Sequence, residues 1–259
     1  FPNEFHGVTV QDSLDVLENM LRSSIDPERV AAMIIEPVQG EGGFNIADFG
    51  FLQKLRQIAD DYGILLIADE VQTGFARTGK MFAMEHHDVA PDLTTMAKGL
   101  GGGFPIAAVT GRASVMDGAN PGGLGGTYGG SPMGIAAAHA VLDVIEEEQL
   151  CDRANALGSR LKQRLESLRS DIPEIADIRG LGFMTAVEFN IAGTEAANPD
   201  FTNAVKAHAL KRNLILLTCG VYGNVIRFLA PITIQDDVFA EALDIIETSM
   251  RAARAEVSK

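Results

Sequence analysis

The chain has no tryptophan, only two cysteines in 259 residues, and a deficit of positive charge: 21 Lys and Arg stand against 35 Asp and Glu. The resulting net charge of −14 repels phosphate backbones and anionic lipid headgroups alike, and no basic stripe offsets it. Nucleic acid and membrane are therefore excluded as partners. Cys151 and Cys219 lie far apart, with none of the CxxC or Cys/His spacings of zinc sites and redox pairs, and read as inert thiols of a reducing cytoplasm. No apolar run approaches the roughly 20 residues that cross a bilayer, and no charged, apolar and small-residue series opens the chain. These absences together predict a soluble, cytoplasmic protein. The chain also lacks an initial methionine, opening at Phe1 and passing quickly into a helix pattern over Gln11 to Ser24, which we read as a sign that a segment precedes it.

What is present is apolar material, 46% of the residues, enough for one large domain or two smaller ones. Over the first 110 residues, short apolar runs alternate with amphipathic stretches: Val30 to Ile35, then Phe49 to Asp61, then Ile64 to Ala68. Solid apolar runs with intervening helices predict strands of a largely parallel sheet, buried on both faces, in an α/β architecture. Pro105 to Val109 reads as a further buried strand, and Met133 to Glu147 and Asn155 to Ser170 as helices separated by a break at Gln149 to Asp152. A different rhythm follows, with strands at Met184 to Phe189, Leu214 to Thr218 and Val225 to Leu229, and helices at Phe201 to Arg212 and from Asp236. Residues 1–150 are thus expected to form one domain and residues 151–259 a smaller α+β domain.

Glycines concentrate at Gly40 to Gly43, Gly99 to Gly103 and Gly122 to Gly130, where backbone turns tightly or approaches a ligand. No G-x-G-x-x-G occurs, so a dinucleotide-binding fold is unsupported. Asp69 and Glu70 end an apolar strand, as do the metal-holding acids of phosphate-loop ATPases, and Gly74 to Lys80 resembles half of such a loop. Met81 nevertheless stands where a magnesium-binding hydroxyl belongs. Lys98 sits between the apolar segment Leu93 to Ala97 and the Gly99 to Gly103 run. Alone it reads as a solvated loop lysine; held in a cleft, it would have the lowered pKa that frees an amine for Schiff-base chemistry. An acid on one strand end and a lysine on the next suit pyridoxal phosphate, which needs an amine for its aldehyde and an acid for its ring nitrogen.

Four segments carry a resemblance: Ile34-Ile-Glu-Pro-Val-Gln-Gly-Glu-Gly-Gly-Phe44, Ile67-Ala-Asp-Glu-Val-Gln-Thr-Gly74, Asp92-Leu-Thr-Thr-Met-Ala-Lys98 and Pro121-Gly-Gly-Leu-Gly-Gly-Thr-Tyr-Gly129. With Asn224 to Pro231 they extend it over essentially the whole chain, which resembles the class III aminotransferases of fold type I, and within them the bacterial 4-aminobutyrate group. The resemblance implies the latter part of the large pyridoxal-phosphate domain plus the C-terminal small domain, with the N-terminal part of the enzyme absent. It implies that Lys98 holds the cofactor covalently and that Asp69 pairs with the ring nitrogen. Gln72 would bond the ring's phenolic oxygen, and Thr127 the cofactor phosphate across a homodimer interface.

Glu41 and Arg227 match the family's gating pair, against the plainer reading of a surface ion pair. Glu36 reads as a strand-end acid. The implied reaction is amino transfer from 4-aminobutyrate to 2-oxoglutarate. Acetylornithine or other ω-amino-acid transfer and aminomutase chemistry are the alternatives within the family. A non-catalytic module that keeps the fold for binding or assembly is the alternative outside it.

Overall fold

The structure, a computed structural model, describes residues 1–257. The chain divides into two compact units: Phe1–Val38 with Ile46–Gln149, and Gln39–Asn45 with the chain from Leu150 onward.

In the first unit, helix α1 (Val10–Ser23) starts at Thr9, whose hydroxyl accepts from the Asp12 amide while the Asp12 carboxylate accepts from the Thr9 amide. That reciprocal cap satisfies two of the donors a helix start leaves free. Strand β1 (Ala32–Ile35) is followed by α2 (Phe49–Tyr62), capped by the Asp48 carboxylate on the Phe51 amide at 3.1 Å and ended by Gly63 in the left-handed region. Strands β2 (Leu65–Asp69), β3 (Leu93–Met96) and β4 (Ala108–Gly111) complete a sheet in the order β1-β2-β3-β4, parallel as far as β3 and antiparallel at the β4 edge. The short helix α3 (Ala113–Met116) and the long α4 (Pro132–Glu147) follow.

The expectation of strands buried on both faces is corrected here. Met33, Ile35, Leu66 and Ala68 pack into one core with Leu14 and Leu21 of α1 and Phe51, Leu52, Leu55 and Ile58 of α2. The alternate residues point the other way, and Ile34 is 62% exposed. The strands thus follow the period-two rule of a sheet packed on one side. The strand expected at Pro105 to Val109 forms later, over Ala108–Gly111, as an exposed edge.

In the second unit, α5 (Leu150–Leu168) precedes β5 (Ile175–Leu181), β6 (Met184–Phe189), α6 (Pro199–Leu210), β7 (Leu217–Cys219), β8 (Val225–Phe228) and α7 (Asp236–Val257). Helix α5 begins at Leu150, so the break before it is only Glu148 and Gln149, the latter at φ 51°. The four strands form an antiparallel sheet in the order β5-β6-β8-β7. Central β6 is buried at every position. On one face Phe189 meets the Phe201 ring of α6, with centroids 5.1 Å apart; on the other, Ala186 and Glu188 lie in the face that carries Arg179 and Arg227. Strand β7 is shorter and later than Leu214 to Thr218. The left-handed Asn213, with the Leu214 amide bonded back to the Ala209 carbonyl, keeps residues 214–216 in the exit from α6.

Candidate active site

Parallel strands leave their carboxyl ends at one edge of a sheet, and ligands of open α/β sheets gather there. Asp69 is the last residue of β2, and Lys98 lies two residues beyond the end of the neighbouring parallel strand β3. Glu36 follows the end of β1, the next parallel strand across. The β2–β3 register sets Asp69 opposite Thr95, whose hydroxyl donates to Asp69 Oδ1 at 3.2 Å, while the Val71 amide donates to the same oxygen at 3.1 Å. Oδ2 accepts no hydrogen bond among the described residues, so the carboxylate is oriented through one oxygen alone.

The two acids of the Asp69-Glu70 pair have different fates. Glu70 is fully buried; it accepts the Thr73 hydroxyl and the amides of Ala83 and Met84 at 2.9 and 2.8 Å. It therefore closes the loop 71–82 on itself, with no carboxylate oxygen left for a metal. Among the described residues no cluster of His, Cys, Asp and Glu is arranged to hold one. Gln72 is carried on that loop, and its side-chain oxygen is buried without a hydrogen-bond partner among the described residues. A buried amide end left unpaired costs about 1–3 kcal/mol, so such groups mark places where a ligand completes the bonding.

Lys98 has an exposed side chain and opens a short 3-10 turn against which α4 packs, its backbone in the left-handed region at φ 44°. A side chain disfavours that conformation by about 1–3 kcal/mol, and such positions cluster at sites where geometry outranks local preference. Thr127 is set apart from this group. It lies in the run 117–130, exposed throughout, and no hydrogen bond joins it to Lys98, Asp69 or Gln72 among the described residues.

The second unit brings Glu41 and Arg227 together. Arg227 projects from β8 and its Nη1 pairs with Glu41 Oε1. The burial is uneven: the Arg227 side chain is 13% exposed and that of Glu41 is 74% exposed. Arg227 Nε is buried with no acceptor among the described residues, so the cation has a donor to spare. Arg227 also borders an apolar cavity of about 290 Å³ within this unit, whose other lining residues are all aliphatic or aromatic. Among the described residues that line it, Arg227 is the one charged side chain.

Sequence reasoning passed over Thr95, whose signal is its place opposite Asp69 in the register, and Arg179, which has no local signal because its partner Gly43 is 136 residues away. Both are placed by strand pairing.

The aminotransferase class-III family model matches residues 2–250. The chain is 51% identical over 247 residues to a 5-aminovalerate aminotransferase of Pseudomonas putida, and 48% identical over 255 residues to a 4-aminobutyrate aminotransferase of Escherichia coli. It is covered to 95% and 98% in these matches but spans only 58% and 60% of the two relatives. Among solved structures, an ornithine aminotransferase of Toxoplasma gondii with partial occupancy of PLP at its active site superposes with a TM-score of 0.82 at 36% identity over 95% of this chain and 56% of its own. An acetylornithine aminotransferase of Elizabethkingia anophelis gives 0.79 at 35% identity over 91% and 57%. With its strand-end lysine and acid, and a family match over nearly its whole length, the chain belongs to the class-III aminotransferases.

Proposed function

We propose that the protein is a pyridoxal-phosphate-dependent transaminase that moves the amino group of 4-aminobutyrate to 2-oxoglutarate, giving succinate semialdehyde and glutamate. The observation that carries this reading is the pair Asp69 and Lys98 at the carboxyl ends of adjacent parallel strands, beside a Gln72 amide whose oxygen is buried without a partner. The residues fit the cofactor: Lys98 would hold its aldehyde, Asp69 Oδ2 its ring nitrogen and Gln72 its phenolic oxygen. Thr127 is assigned to its phosphate in a homodimer. Residues 1–150 then serve as the latter part of the cofactor domain and 151–259 as the small domain, in a cytoplasmic enzyme. Pyridoxal phosphate supplies an electron sink for negative charge at the substrate carbon.

The chain's own residues do the rest. The Lys98 amine would act as general base on the substrate carbon that bears the amine and, as general acid, would deliver that proton to the carbon of the cofactor's former aldehyde. The Asp69 carboxylate favours the protonated ring nitrogen by opposite-charge stabilisation. Glu41 and Arg227 discriminate between donors, which differ by one α-carboxylate. With 4-aminobutyrate, Glu41 neutralises Arg227; with glutamate or 2-oxoglutarate, the substrate carboxylate takes its place on the planar fork. A second donor, 5-aminovalerate, is favoured by the 51% identity to the Pseudomonas putida enzyme.

The test is an absorbance spectrum of the full-length protein with cofactor, expected to show a band near ~420 nm, followed by borohydride reduction, peptide mapping and a screen of ω-amino donors. The expected adduct is on Lys98. An adduct on another lysine, such as Lys80, overturns the assignment.

A further inference from the structure

Arg179 stands in the same register row as Arg227: it lies opposite Ala186 across β5 and β6, and Ala186 lies opposite Arg227 across β6 and β8. Residues paired across a ladder project from the same face, so two arginines flank one alanine methyl, two strand spacings or about 10 Å apart. The segment Gln39–Asn45 is bonded to this face. Nε and Nη2 of Arg179 both donate to the Gly43 carbonyl, at 2.9 and 2.6 Å. The Gly220 amide donates to the Glu41 carbonyl at 3.0 Å.

The fork of Arg179 is itself fixed, because Nη1 lies 2.7 Å from Asp177 and 2.8 Å from the buried Glu188. Those two carboxylates are directly opposed in the β5–β6 register, an arrangement that repels unless a cation joins it. The seat is also tight. Gly43 has φ 116°, and a Cβ there would meet Arg179 Nη2 at 3.3 Å and the Gly220 Cα at 3.4 Å. The loop is further braced from within, as Asn45 Nδ2 donates to Gln39 Oε1 at 3.0 Å and to the Gly42 carbonyl at 3.1 Å.

We infer that Arg179 is the positioning residue of the Glu41–Arg227 pair: it latches the loop at Gly43, so that the backbone of Glu41 stays in place while its carboxylate leaves Arg227 and returns. The inference rests on the gate reading of that pair. Its physical content is a division of labour along three residues. The carbonyls of Glu41 and Gly43 are held by donors from Gly220, at the end of β7, and Arg179 of β5, whereas the Glu41 carboxylate is mostly exposed and has one partner among the described residues. Departure of the carboxylate then needs only side-chain rotation, and its return needs no reordering of backbone.

The experiment uses the full-length holoenzyme with Arg179→Lys, which keeps a cation between Asp177 and Glu188 but cannot present two N–H groups to one carbonyl. The 4-aminobutyrate half-reaction is expected to lose about tenfold in kcat/KM, the effect of losing one strong charge-assisted bond. The 2-oxoglutarate half-reaction should stay within about twofold. In a Glu41→Ala background, Arg179→Lys should add nothing, because both changes act through one device.

Cys219 gives a readout independent of turnover. It lies opposite Val225, two register rows from Arg227, beside Gly220, and burial pushes its thiol up to about 11. Release of the loop should raise its alkylation rate severalfold, measured in a Cys151→Ser background. Equal losses in both half-reactions, losses that add in the double variant, or a selective loss with unchanged Cys219 reactivity each overturn the latch and leave Arg179 as a structural cation. If Glu41→Ala alone leaves the two half-reactions equally affected, the gate reading itself fails. That result is separable, because it is read without touching Arg179.

Discussion

The carboxylates of the first unit and Glu41 of the second are held in opposite ways. Asp69, Glu70 and Asp92 all accept backbone amides. Asp92 is 2% exposed and draws Arg56 and Arg112 toward it, with oxygen–nitrogen distances of 2.8 and 2.6 Å. In the Glu41–Arg227 pair the cation is the buried partner and the carboxylate is exposed. Removing a carboxylate from its amides leaves those donors unpaired, so such groups stay fixed. An exposed carboxylate on a single arginine leaves by side-chain rotation alone, and the buried cation it uncovers can take a second carboxylate in its place. On the gate reading proposed above, the difference in burial separates scaffold from switch.

The largest effect that tests the comparison is at Asp69, a fixed carboxylate oriented through one oxygen. Asp69→Asn keeps the hydrogen bond from Thr95 but loses the charge that, in the proposed function, favours a protonated ring nitrogen. Turnover of the full-length enzyme is expected to fall by about 10²–10³-fold, or roughly 3–4 kcal/mol of barrier, with cofactor retained in the spectrum. Near-normal kcat would remove Asp69 from the chemistry and leave it as another scaffold acid.

Asp92 sharpens the same side. Burial would raise its carboxyl, but the Leu66 amide and the two arginines outweigh burial and hold the pKa below its ordinary value. A lowered folded-state pKa means stability that is present above the unfolded-state value, about 3.9, and lost as pH falls through the folded-state pKa below it. Asp92→Asn should therefore lower stability by about 2–3 kcal/mol at neutral pH, read from urea midpoints. The gap between variant and parent should close only below about pH 4. A gap that persisted unchanged in acid would mean that packing, not charge, holds the cluster.

Much of this was legible without coordinates, for identifiable reasons. Helix α2 shows in its period and caps, and β6 in an apolar run bounded by glycine and asparagine; both were expected close to their observed limits. The places of Asp69 and Lys98 at strand ends were legible because strand ends and glycine turns are local signals. Strand β5 was not, because Asp177 and Arg179 face inward and break the apolar alternation that announces a strand. Nor was the docking of Gln39–Asn45 on the sheet of the second unit, since that depends on bonds between residues more than a hundred positions apart. The single covered face of the first sheet also escaped: Ile34 and Ile35 are equally apolar in sequence, and only packing distinguishes them.

The switch side of the comparison predicts a smaller and more selective effect. Arg227 holds Glu41 through Nη1 and keeps a buried Nε without an acceptor, so the site is suited to exchange one carboxylate for another rather than to hold one permanently. In Arg227→Ala the substrate's second carboxylate loses a charge-assisted partner worth about 1.5–3 kcal/mol. The 2-oxoglutarate half-reaction should slow by roughly ten- to a hundredfold, while the 4-aminobutyrate half-reaction, whose donor has no such carboxylate, changes little. Glu41→Ala should do the reverse. The cation stays available to dicarboxylates but is stranded whenever 4-aminobutyrate is bound, so the loss falls on that half-reaction. Single-turnover rates of both half-reactions in both variants decide it, because a static ion pair has no reason to distinguish them. Equal losses across the two halves in Arg227→Ala would place Arg227 with Asp92 among the fixed charges, and the unequal burial of the pair would then be a consequence of loop packing alone.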